Sequence, residues 1–286
     1  MKYIDLHVHS NASDGTLTPT KVVDRAIKMN LTAFALTDHD TVKGIEEAQK
    51  AVDIYRSTGI DIQLIPGTEI SVAYKNRDIH MLGLFLDYKN ELLIKELQDA
   101  VDERNQRNLK MAENLRNAGI NITIEKLVEA DENAILTRAH FAKYLYEHNY
   151  VKSRDEAFKK YLSDDGPYYV PRQFITPERG IELIKMAGGS PVLAHPLLYR
   201  LPSNELESLI KRLKDAGLVG IETLYSANVD FDESYVRKLA HKYELLITGG
   251  SDFHGVNKPL IEMGVGKGNL KIPYSILETL EDYLKR

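Results

Sequence analysis

Two histidines one residue apart, His7 and His9, end the first apolar run of this chain, and Asp14 follows in a short polar loop. Residues 2–8 read as a strand. Period-two alternation then sets both imidazoles on one side at its carboxyl end. One such pair is common by chance, but the pattern recurs. His39 follows the apolar run 31–37, Glu69 lies near the end of 60–70, His195 follows 191–194, and Asp252 and His254 follow 245–248. His80 lies near the start of the run 79–86. Imidazole and carboxylate donors without thiolate suit Zn, Mn or Fe, and Mg less well. Six imidazoles gathered near several carboxylates need a charge to satisfy them, and two or three divalent cations supply it. The chemistry expected is hydrolysis by a hydroxide formed at the metals, with no side-chain nucleophile. Gly249-Gly250-Ser251 is short of a nucleophile elbow, and no Gly-Lys-Ser or Gly-Lys-Thr phosphate loop occurs. The competing reading is a non-catalytic metal or nucleotide-binding module with a vestigial cluster. The other three histidines, His140, His148 and His241, fall in helical stretches and read as helix residues rather than metal ligands.

These residues need a scaffold that brings strand ends together. Thr18 caps a helix that starts at Pro19 and runs to about Asn30. A second helix is expected from Thr41 to Ser57, closed by Thr58-Gly59. Residues 74–78 read as a turn. From about 90 to 161 the pattern changes to helices without strong strands, the first spanning roughly 91–118. Its apolar stripe is broken by Arg104 and Asn108, with Arg107 beside them, which marks this face as the wall of a wet, anion-binding pocket. Strand–helix alternation then resumes, with helices expected at 177–187, 204–216, 233–243 and 273–285. Repeated strand–helix units predict a parallel sheet, closed or nearly so, with functional groups on the loops at the strand carboxyl ends.

The 286 residues suffice for one large α/β domain with an insertion, and 43% hydrophobic with 28% charged residues is an ordinary globular balance. A net charge of −5 argues against a broad nucleic-acid-binding face, although a local cationic pocket remains compatible with it. The absence of cysteine removes disulfides and thiolate chemistry. No signal-peptide pattern opens the chain and no run of 18 apolar residues occurs, so no membrane association and a cytoplasmic location are expected.

Asp5-Leu6-His7-Val8-His9-Ser10, Thr37-Asp38-His39-Asp40, Gly67-Thr68-Glu69, His195-Pro196 and Ser251-Asp252-Phe253-His254 resemble, in order, the motifs of the PHP (polymerase and histidinol phosphatase) family. The resemblance implies an α/β fold, a distorted (β/α)7 barrel formed by residues 1–90 and 171–286, with a mainly helical cap at 91–170. It implies that His7, His9, Glu69 and Asp252 hold one metal. Glu69 would bridge to a second completed by His80 and His195, and Asp14, His39 and His254 would hold a third. Asp5 and Asp38 are expected to orient the imidazoles from behind. The middle of the chain is similar to one branch of that family, the small stand-alone phosphoesterases that act on nucleotides, through Arg104-Asn105-Gln106-Arg107, Thr137-Arg138-Ala139-His140-Phe141, Tyr161-Leu162 and Tyr168-Tyr169-Val170-Pro171. Substrate contacts are therefore expected from Arg104, Arg107, Arg138 and His140, and from Tyr199 and Arg200. The branch has Gly-Arg-Tyr after His-Pro, whereas this chain departs from it with Leu197-Leu198-Tyr199-Arg200, and Arg200 is the candidate to replace the expected arginine. The implied substrate is a nucleotide phosphomonoester, such as a 3′,5′-nucleoside bisphosphate or nucleoside monophosphate, or the end of a short RNA. Histidinol phosphate is the alternative. Residues 101–172 carry 12 basic and 12 acidic side chains, which suits a small ligand better than a long polymer.

Overall fold

The structure is a computed structural model and describes residues 2–75, 77–128, 136–163, 166–168, 170 and 175–285. Seven strands form one sheet in chain order. They are β1 (Ile4–Val8), β2 (Ala33–Leu36), β3 (Gln63–Tyr74), β4 (Arg77–Leu84), β5 (Ser190–Leu193), β6 (Gly220–Tyr225) and β7 (Leu246–Gly250). The barrel helices are α1 (Pro19–Lys28) and α2 (Ile45–Ser57). The inserted helices are α3 (Glu91–Asn117), α4 (Ile124–Val128), α5 (Arg138–Glu147) and α6 (Arg154–Ala157), the last running into a π turn at Phe158–Leu162. The barrel resumes with α7 (Pro177–Met186), α8 (Ser203–Asp215), α9 (Asp232–Lys242) and α10 (Ser275–Leu284).

The sheet is mixed rather than parallel throughout. β1–β2–β3 and β5–β6–β7 pair parallel, but β4 runs antiparallel to both β3 and β5. The reason is connection length: parallel neighbours need a crossover of a dozen or more residues, and only two separate β3 from β4. The reversal is what brings His80 into register opposite Ser71, two residues beyond Glu69, although it sits near the start of its strand. α2 begins four residues later than expected. Asp40 takes a left-handed φ of 49° and its carboxylate accepts from the Ser71 amide at 2.7 Å, so this part of the chain is held as a loop over β3. The Tyr74–Asp78 turn includes Asn76, and the insertion motif includes Tyr169 and Pro171, which lie outside the described residues.

Apolar side chains from β1 to β6, among them Ile4, Leu6, Ala33, Ala35, Ile65, Leu82, Val192 and Leu224, fill the barrel and meet Leu277 and Leu280 of α10. A larger cluster packs the outer helices on the sheet. The insertion has a separate apolar cluster built on Met111, Leu115, Phe141, Leu145 and Leu162. The barrel is closed by the residues that follow β7. The Asp252 amide donates to His7 O at 2.9 Å and the His9 amide to Phe253 O at 3.0 Å.

Gly250 is needed for this closure. A Cβ there would lie 2.1 Å from that of His7 and 2.7 Å from the His7 amide nitrogen. Gly250→Ala should therefore force β7 away from β1 and cost roughly 1–3 kcal/mol or more, the usual range for overpacking. A urea unfolding midpoint equal to that of the wild type would show that the two strands are not locked together.

Candidate metal centre

Glu69 stands in the middle of β3, 1% exposed, with its two carboxylate oxygens facing different groups of imidazoles. Oε2 lies 3.2 Å from each of His7 Nε2, His9 Nε2 and His39 Nδ1. Oε1 lies 2.9 Å from His80 Nδ1 and 2.9 Å from His195 Nε2. Asp252 Oδ1 approaches the first group, 3.7 Å from His7 Nε2 and 3.5 Å from His9 Nε2. On the far side of His9, Asp14 Oδ1 is 3.0 Å from His254 Nε2 and 3.8 Å from His9 Nδ1, and Asp14 Oδ2 is 3.9 Å from His39 Nε2.

Glu69 and His80 project from within β3 and β4, and the other side chains are aimed by the ends of strands. His7 and His9 leave β1 on the same side, and His39 and His195 follow β2 and β5. Asp252 and His254 follow β7, and Asp14 sits in the loop after β1. His195 and Asp252 take positive φ values of 25° and 58°, a cost borne where side chains must be turned into a site.

The donor set fits divalent cations. His7 Nε2, both ring nitrogens of His9 and His39 Nδ1 are buried without a hydrogen bond. Three nitrogens crowding one carboxylate oxygen is a geometry of ligands around shared centres rather than of hydrogen bonds. Three compact groups emerge: His7–His9–Glu69, His39–Glu69–His80, and His9–Asp14–His39–His254. The grouping differs from the expected one in detail. His39 faces both Glu69 and Asp14, and His195 meets Glu69 without joining a compact group. Burial pushes the His39 pKa down to about 4 despite Glu69 and Asp14, leaving a neutral donor at pH 7. Burial also opposes charge on His7, but Glu222, Glu69 and Asp252 outweigh it and hold its pKa well above the ordinary imidazole range. Burial would raise the Glu69 pKa, yet His39, His80 and His7 hold it well below the ordinary carboxylate range.

Two expected supports prove to have another task. Asp5 accepts from the amides of His7, Ser251 and Gly264, and burial raises its pKa to about 6. Asp38 accepts from the Ser10 amide and from the Ser10 and Ser13 hydroxyls, each at 2.7 Å. Both carboxylates fasten backbone amides and loop hydroxyls instead. The carboxylate behind the imidazoles is Glu222 of β6, which accepts from His7 Nδ1 at 3.0 Å and from the His195 amide at 2.8 Å. Its signal was a lone acidic residue inside the apolar run 219–224. Tyr225 Oη likewise donates to Asp252 Oδ2 at 2.7 Å, and Lys258 Nζ reaches the same oxygen.

His39, Glu69, His80, His195 and Asp252 line a cavity of about 780 Å³. Arg77, Arg138, Lys159, Arg200 and Lys258 line it as well, of which only Arg138 and Arg200 were expected. A second cavity of about 220 Å³ lies on the other side of His39 and His80, under Arg104, Arg107 and Arg138. Arg104 is buried and paired with Asp40, and its Nη2 also donates to Ser71 Oγ at 2.8 Å, so it serves as a brace between α3 and the β2–α2 loop. Arg138 donates to Asp78 and to Leu162 O. His140 lines neither cavity: its Nδ1 accepts from the Thr137 amide at 3.0 Å and closes the first turn of α5. Tyr199 lines the larger cavity while its hydroxyl donates to Ala194 O and accepts from the His80 amide.

Two substitutions test the centre. Glu69→Ala should lower bound divalent metal by more than one ion per chain, because both its oxygens face ligand groups. Elemental analysis showing a loss of one ion or none would remove the bridging role. Glu222→Gln should lower metal affinity about 10–100-fold by releasing the His7 ring, the usual effect of losing a carboxylate behind a ligand. Unchanged affinity in a metal titration would make Glu222 a structural anchor only.

A family model described as the PHP domain matches residues 5–216. The chain is 37% identical to the 5′-3′ exoribonuclease Rnm of Escherichia coli K12, over 91% of this chain and 87% of that protein. It is 35% identical to a 3′,5′-nucleoside bisphosphate phosphatase of Chromobacterium violaceum, over 89% and 88% of the two chains. A solved structure from Bifidobacterium adolescentis, assigned as a metal-dependent phosphoesterase, superposes with a TM-score of 0.82 at 30% identity, covering 98% of this chain and 95% of that one. With its strand-end ligand cluster and seven-stranded barrel, this chain belongs to the PHP domain family.

Proposed function

We propose that this protein is a metal-dependent phosphoesterase that removes a phosphoryl group from a nucleotide, such as a 3′,5′-nucleoside bisphosphate or nucleoside monophosphate, or from the end of a short RNA. The observation that carries the reading is the cavity, which is lined by imidazoles and carboxylates of the cluster together with five cationic side chains. Its volume falls within the roughly 300–1,000 Å³ usual for small-molecule sites. The exoribonuclease and bisphosphatase similarities support the same substrate class. Residues 91–170 act in this reading as a cap over the barrel mouth.

Two or three divalent ions, Mn, Zn or Fe rather than Mg, would supply an activated water and neutralise phosphoryl charge. His7, His9, Glu69 and Asp252 would hold one, Glu69 with His80 and His39 or His195 a second, and Asp14, His39, His9 and His254 a third. The protein's own residues bind and orient the substrate. Arg200, Arg77, Lys159 and Lys258 draw the anion into the cavity, and Arg138 stands between the two cavities to meet a second phosphate. Asp252 keeps one oxygen toward the imidazoles because Tyr225 and Lys258 hold the other. Phe158 and Leu162 of the cap close the larger cavity over the reacting group and reduce its access to water.

No helix among the described residues is long and apolar enough to cross a membrane, and a cytoplasmic nucleotide pool suits the substrate. The balanced charge of residues 101–172 favours a small ligand, because a long polymer needs an extended basic track. With Mn present, kcat/KM should be highest for a 3′,5′-bisphosphate or a short 5′-phosphorylated RNA, lower for a plain nucleoside monophosphate, and lowest for histidinol phosphate. A preference for histidinol phosphate would replace the nucleotide reading with the alternative.

A further inference from the structure

The insertion touches the ligand cluster at a residue with no role in the reading above. The Thr137 hydroxyl donates to Asp14 Oδ2 at 3.0 Å, and both residues are buried. Thr137 Oγ1 itself accepts from the Ala139 amide at 3.2 Å and so caps α5. A hydroxyl has one proton and two lone pairs, so it can hold the carboxylate and the helix end at once. Asp14 Oδ1 is left facing His254 and His9. The next residue, Arg138, opens α5 and lines both cavities, with Nη2 on Asp78 Oδ2 at 3.2 Å and Nη1 on Leu162 O at 3.1 Å.

We propose that Thr137 is a positioning residue that couples cation binding by the His9–Asp14–His39–His254 group to the seating of α5, and through it to the placement of Arg138. The proposal rests on the reading that the cluster binds divalent cations. A carboxylate held through one oxygen presents the other without first having to be ordered. Coupling of this kind is reciprocal. A cation in this group tightens the start of α5, and an anion that engages Arg138 and steadies α5 strengthens the cation.

The test uses the full chain and titration with Mn, in the wild type, Thr137→Val, Thr137→Ser and Asp14→Asn, together with hydrogen exchange across 138–147. Valine keeps the branched shape and removes the hydroxyl, serine restores the hydroxyl, and Asp14→Asn identifies the ion that belongs to this group. Thr137→Val should weaken that ion about 10–100-fold, the range for a partner behind a metal ligand, and Thr137→Ser should recover it. In the wild type, Mn should slow exchange at the start of α5, and inorganic phosphate should tighten the same ion. Thr137→Val should lose both effects. Faster α5 exchange in Thr137→Val with unchanged Mn binding would make Thr137 a helix cap and nothing more, overturning the proposal. The same holds if Asp14→Asn binds as much Mn as the wild type while Glu69→Ala loses it, a result that leaves the metal reading standing. Wild-type protein that binds no Mn, Zn or Fe would instead remove the metal reading itself.

Discussion

The two oxygens of Glu69 set the constraint around which this protein is arranged. One oxygen draws three imidazole nitrogens to the same 3.2 Å, and the other draws two more to 2.9 Å. A fully buried carboxylate is costly unless positive charge is shared across it. That cost gives the fold its order of priorities. The ligands must arrive from β1, β2, β4, β5 and the end of β7 at one depth, and the backbone around them is tied down by other carboxylates. Asp5 and Asp38 accept from amides and hydroxyls, so the backbone at His7 and the loops after β1 and β7 are held by hydrogen bonds that do not compete with the ring nitrogens.

The reversed strand follows from the same requirement. β3 runs past its pairing with β2 and returns as β4, so Glu69 and His80 come from the two arms of one hairpin. A hairpin is a stiff support, and it puts the Glu69 carboxylate and one of the imidazoles against it in fixed register with few intervening residues. The rest of the centre depends on distant contacts. Glu222 on β6 links the His7 ring to the His195 backbone, and thereby ties the first strand to the end of the fifth.

The insertion adds charge of the opposite kind. Two of its arginines are spent on structure: Arg104 braces Asp40, and Arg154 donates to Asn257 O. What faces the larger cavity is a mixed set in which Arg77, Arg200 and Lys258 come from the barrel and Arg138 and Lys159 from the insertion. An anion is therefore met by both parts of the chain, which makes its binding sensitive to how the insertion sits on the barrel.

The placement of chemistry at strand ends was legible in the sequence, because it depends only on local pattern. Apolar runs of strand length mark strands, and the polar residues that follow them must lie at their carboxyl ends, so His7, His9, His39, His195, Asp252 and His254 could be grouped without coordinates. The helix start at the Thr18-Pro19 cap was equally local. The direction of β4 was within reach of the sequence, because the turn read at 74–78 is too short for a parallel crossover, but the strand–helix alternation around it pointed to a parallel sheet. Glu222 was hidden because a lone glutamate in an apolar strand reads alike whether it faces a ligand or a gap in the core. The engagement of Arg104 with Asp40, 64 residues away, was likewise invisible. Periodicity records which face of an element is buried. Which groups meet on that face depends on which elements the completed barrel sets side by side, and only the tertiary structure decides that.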